Sequence, residues 1–185
     1  MTVLIILYFN ARSLCPKPII LTEDRNHDVI CITETWLSQE ISSEEISIPG
    51  YLLYRRDRNC PGGGVLMYTR VTLQVKLLPQ PPDLELLTLS LYSGNHRVCL
   101  ALFYCPPSSS AEVFGQICTY LTLMLMYGIH PTLVIGICST LCPFVPWHKL
   151  WMMSPTLTTT GLLPLLTLYS CSPHPNYAIA VPFPH

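Results

Sequence analysis

Over the first hundred positions, apolar residues fall in short runs separated by glycine, proline and charge. The runs at 3–9, 29–33, 51–54, 64–69, 72–78, 85–92 and 97–104 are rich in leucine, β-branched and aromatic residues and predict strands. Val29 to Ile32 is apolar at every position, which predicts a strand buried on both faces. Pro61-Gly62-Gly63-Gly64 and Ser93-Gly94-Asn95-His96 are turn signals. The second predicts a hairpin joining 86–92 to 98–104. Ser109-Ser110-Ala111-Glu112 has the spacing of a capping box and predicts a helix running to about Leu121.

From Leu121 onward the periodicity fails. The stretch 121–147 is apolar, with Pro131, Pro143 and Pro146 inside it. Leu121 to Cys138 approaches the roughly 20 apolar residues of a membrane-spanning helix, but Gly128, His130 and Pro131 sit in its middle and it lacks basic flanks and aromatic anchors. A small membrane-associated protein is therefore the alternative reading, and the less favoured one. Met1 to Phe9 has neither a basic start nor a small-residue cleavage site, so it reads as a buried strand and not as a signal peptide.

Composition sharpens this division. Half of the 185 residues are hydrophobic and 11% are charged, against roughly 25% in soluble domains. Lys149 is the one charged residue after Glu112. By composition residues 1–112 read as an ordinary globular sequence and 113–185 do not; with the failing periodicity, 1–120 reads as part of a globular domain and 121–185 as an apolar, proline-rich tail, frame-shifted or disordered. The net charge of −1 gives no global basic footprint for nucleic acid. Locally, Arg55, Arg56, Arg58 and Arg70 flank one hairpin, where they serve either phosphate contacts or solubility. The nine cysteines lack paired spacing. They imply reduced, intracellular thiols, not a disulfide framework. Cys138, Cys142, His148, Cys171 and His174 do not have the spacing of a zinc site.

The candidate chemistry starts at Glu34, delivered to the C-terminal end of the 29–33 strand, where α/β folds place their sites. One carboxylate there suits Mg²⁺, which takes one or two and completes its shell with water and substrate phosphate; a solvated strand-end Glu is the other reading. Trp36 reads as a core or rim aromatic more readily than as a base-stacking platform.

Four motifs stand in order: Asn10-Ala11-Arg12-Ser13, Thr33-Glu34-Thr35-Trp36-Leu37, Gly62-Gly63-Gly64-Val65 and Tyr104-Cys105-Pro106-Pro107. Together they resemble the endonuclease domain of non-LTR retrotransposons, of the endonuclease/exonuclease/phosphatase superfamily, over residues 3–120. The resemblance implies a four-layer α/β sandwich, incomplete here in its C-terminal half. It implies a Mg²⁺-dependent DNA endonuclease with a nuclear location, DNA as partner and no small-molecule cofactor. Asn10 and Tyr104 match catalytic positions, Glu34 the metal ligand, and Arg12, Arg55, Arg56 and Arg58 fall where DNA is contacted. A first helix is expected at 17–27, where Pro16 and Pro18 damage its start.

The chain also departs from the family pattern. Cys105 stands where Arg is usual. Ile137, Cys138 and Ser139 follow Gly136 where Asp, Phe and Asn are expected, and neither Ser-x-Ile-Asp nor a terminal Ser-Asp-His is present. Permitted codons for Thr158 to Leu168, read two nucleotides later, can spell Ser-x-Ile-Asp. The resemblance therefore implies an inactive remnant whose tail, from about Thr122, is a frame-shifted or spliced continuation unable to complete the second sheet.

Overall fold

The computed structural model describes residues 3–15, 26–58, 62–93, 96–106, 109–127, 129, 133–138, 166–169 and 176–182. The expected 17–27 helix lies largely outside them, and Cys142, His148, Cys171 and His174 lie wholly outside them.

Two five-stranded sheets form the molecule. The first contains β1 (Val3–Asn10), β2 (Val29–Thr33), β3 (Tyr51–Arg56), β4 (Val65–Arg70) and β10 (Asn176–Pro182), in the order β10-β1-β2-β4-β3. The second runs β5-β6-β7-β8-β9, from β5 (Gln74–Leu77), β6 (Leu86–Ser93), β7 (His96–Cys105), β8 (Leu133–Cys138) and β9 (Leu166–Tyr169). The helix α1 (Ala111–Met126) connects β7 to β8. Seven strands fall where the apolar runs predict them, and the Ser93↔His96 register matches the expected tight hairpin.

Strand alternation explains the layers. Leu4, Ile6 and Tyr8 of β1, Cys31 of β2 and Met67 of β4 face Leu87, Leu89 and Leu91 of β6 and Leu100, Leu102 and Tyr104 of β7, forming the core between the sheets. The opposite face of the first sheet carries Ile30, Ile32, Leu66 and Tyr68, covered by Leu37, Ile46 and Ile48. On the outer face of the second, Leu86, Ala101 and Phe103 pack against Ile117 of α1. The central strand β2 is buried along its whole length, as its unbroken apolar run predicts. The fold is thus an α/β sandwich.

Strands from the tail join both sheets: β8 and β9 extend the second in parallel beyond β7, and β10 pairs antiparallel with β1. Apolar runs gain strand structure once a sheet edge supplies hydrogen-bond partners, which composition alone does not reveal. The capping box does not form: Ser110 is the N-cap, makes no side-chain cap bond, and the helix continues to Met126. With the N-cap one residue later, Glu112 is not in the position that reaches back to it. Among the described residues, no helix is long and apolar enough to cross a membrane.

Candidate functional site

The parallel pair β1–β2 and the parallel pair β7–β8 end together at one rim of the sandwich. Asn10, the last residue of β1, is in register with Thr33, the last of β2, and Tyr104 is in register with Ile137. Glu34 then turns off the strand with φ 53, and Arg12, Ser13 and Trp36 also take left-handed values of 45, 85 and 55. Four such residues in two adjoining loops mark a backbone held against local preference, which typically costs about 1–3 kcal/mol per residue. Backbone bonds hold them: Ser13 N donates to Glu34 O at 3.0 Å, Leu14 N to Thr35 O at 2.9 Å, and Trp36 N to Gly63 O at 3.0 Å.

The expected trio meets at one atom. Glu34 Oε1 accepts a hydrogen bond from Asn10 Nδ2 at 3.0 Å and another from the Tyr104 hydroxyl at 3.0 Å. Asn10 Oδ1 in turn accepts from the Arg12 backbone N–H at 3.2 Å. Both sheets contribute, so the carboxylate bridges the layers. Burial is the main cause that raises the Tyr104 pKa; the Glu34 charge, the bond to it and Glu85 add to the shift, against Arg58. The phenol therefore stays protonated and serves as a donor.

Glu85, which enters β6, is a site residue that the sequence reading missed. Its Oε2 accepts from Gly64 N–H at 2.6 Å, and its Oε1 lies 3.3 Å from Arg58 Nε. Burial raises its pKa most; Gly64 and Arg58 oppose the shift and Glu34 adds to it. The available signal is an acid at the entry of an apolar strand, the mirror of Glu34 leaving one.

The glycine run has a specific use. A Cβ at Gly64 would lie 2.5 Å from Thr35 Oγ1, and one at Gly63 would lie 2.6 Å from Glu85 Oε2. Only bare backbone passes between these side chains. Thr35 Oγ1 itself is buried without a hydrogen-bond partner among the described residues.

The four arginines separate. Arg55 is committed to Asp57 and to the carbonyls of Ser38 and Ile41, and Arg56 to the carbonyls of Pro81 and Pro82. Both brace loops with the guanidinium atoms a phosphate would need. Arg70 lies at the other end of the hairpin, over Tyr51 and beside Asp28. Arg12 is exposed at the rim, and Arg58 is there through Glu85.

The two sheets and the converging strand ends define a two-sheet α/β sandwich with a polar cluster at one rim. Among solved structures, the 3'-5' exonuclease NExo from Neisseria meningitidis matches with TM-score 0.50 and 19% identity, over 72% of this chain and 57% of that one. The endonuclease domain of TRAS1, a telomere-specific non-LTR retrotransposon, matches with TM-score 0.49 and 12% identity, over 66% and 53%. An AP endonuclease from Archaeoglobus fulgidus matches with TM-score 0.42 and 16% identity, over 67% and 50%. The likeness to NExo is one of fold, and the chain spans between half and three fifths of the length of these structures. No protein-family model and no curated protein matches the sequence.

Proposed function

We propose that this chain carries the N-terminal half of a Mg²⁺-dependent DNA endonuclease site of the retrotransposon kind, and that it is catalytically inactive. The observation that carries this reading is Glu34 Oε1, held at once by Asn10 and Tyr104 from opposite sheets.

The donor set suits a hard cation. Glu34 Oε2 takes no hydrogen bond from the described residues, and Asn10 fixes the other carboxylate oxygen. Among the described residues no group of three His, Cys, Asp or Glu side chains gathers, but Mg²⁺ asks for only one or two carboxylates beside substrate phosphate. When bound, the ion supplies a positive charge that polarises a phosphate. Glu34 would hold it, Asn10 and Tyr104 would orient Glu34, and Arg12 would meet the DNA backbone.

The deficit is a base for the attacking water. Ile137, in register with Tyr104, occupies the position where the pattern expects Asp. A missing general acid–base group typically lowers rate by a factor of about 10² to 10⁴. A change of reading frame after about Thr122 accounts for that loss, and the gene's sequence decides it. Incubation of supercoiled plasmid with the purified chain and Mg²⁺ should give no nicking above background. Relaxation by the wild type but not by Glu34→Ala would overturn the proposed inactivity.

A further inference from the structure

We propose that the Trp36 indole is a stacking platform for an unpaired nucleobase, set beside the carboxylate that would face the phosphate. The inference rests on the nucleic-acid reading above and adds to it a recognition element of the base itself.

Trp36 is 49% exposed, while its neighbours Thr35 and Leu37 are buried at 0% and 3%. The chain is therefore anchored on both sides of a ring left in water. The anchoring is strained, because a bulky residue at φ 55 is a backbone outlier. The indole makes no hydrogen bond or ring-to-ring contact with the described residues. On the hairpin side, a Cβ at Gly62 would come within 3.9 Å of the indole Nε1, so the ring's neighbour there is bare glycine backbone.

The surroundings indicate what covers the ring. Ser38, Gln39 and Glu40, which follow it in the chain, are all exposed. One exposed aromatic ring beside polar residues is not, among the described residues, the contiguous apolar patch that a protein interface needs. It suits a flat heterocycle attached to a polar, anionic chain. Base–aromatic stacking contributes about 1–3 kcal/mol per base and tolerates any sequence.

The test uses the full chain with Trp147→Phe and Trp151→Phe, leaving Trp36 as the sole indole. It is titrated with an oligothymidylate and with an abasic phosphodiester of equal length. The oligothymidylate should quench the emission and the abasic chain should not. Trp36→Ala should weaken oligothymidylate binding by about 5- to 100-fold, the stacking contribution expressed as affinity, with Trp36→Phe in between. Equal affinity for the two oligomers, or for wild type and Trp36→Ala, would overturn the stacking role and leave the nucleic-acid reading standing. Failure of the wild type to bind either oligomer would overturn both. The comparison of oligomers on the unmutated ring decides the matter even if Trp36→Ala misfolds.

Discussion

Gly50 and Gly64 have nearly the same backbone angle, φ +87 and +86, and differ in what surrounds them. A Cβ at Gly50 meets nothing within 4 Å, whereas one at Gly64 strikes the Thr35 hydroxyl. Gly50→Ala should therefore lower stability in urea by about 1 kcal/mol, the left-handed penalty alone. Gly64→Ala should cost about 3 kcal/mol or more, because overpacking adds to it. Equal losses would mean that the glycine run is not a packing device. At Thr35, Val keeps the shape and removes an unpartnered buried hydroxyl, so Thr35→Val should raise stability by about 1 kcal/mol. Glu85 adds a pH dependence. Its carboxyl titrates above the usual range, so its contribution is full below the ordinary value near 4 and falls as pH rises through the raised one. Glu85→Gln cannot ionise, and its stability relative to wild type should climb as pH is raised from about 4 to 8. A constant difference across that window would contradict the assignment. Thr35 and Glu85 were not singled out by themselves in the sequence, because each acts through a neighbour distant along the chain.

At the scale of elements, the first seven strands were legible because each is a bounded apolar run and their order follows short turns. Asn10, Glu34 and Tyr104 were legible through their motifs, and the strand ends bring them together. The roles of Arg55 and Arg56 were not, since a charge near a turn looks the same whether it faces solvent or braces a carbonyl. The pairing of β9 and β10 was hidden for another reason: partners far apart leave no periodic trace, and the charge-poor tail drew attention to its composition. Ile135 of β8 puts that pairing at risk. It is 1% exposed in the core between the sheets. Ile135→Ala should destabilise the whole molecule by about 2–5 kcal/mol, as core truncations do. A loss under about 0.5 kcal/mol, the size of a surface effect, would show that β8 adds nothing to the core.

The whole molecule should also unfold in alkali for a reason its core supplies. Burial pushes the Tyr68 phenol up to about 12, against a smaller opposing effect of Arg55, and Tyr104 is raised as well. Both disfavour ionisation in the fold. The stability tied to them is complete below the unfolded phenol value near 10 and is lost as pH climbs through the raised values. Absorbance at the phenolate band should show these two tyrosines ionising together with the loss of circular dichroism. Ionisation of all ten tyrosines before any unfolding would refute this.

The pairing of β1 with β10 also bears on how the protein is made. Val3 lies opposite Pro182 and Phe9 opposite Asn176, so β1 leaves the ribosome well before its partner strand. At ordinary translation speed the interval is roughly ten to thirty seconds. Throughout it, β1 has an open edge, and its outward Val3 and Ile5 remain exposed even after folding. An open apolar edge pairs with whatever strand it meets, including that of a neighbouring nascent chain. Slower elongation should therefore shift the yield from folded chains towards co-translational aggregates.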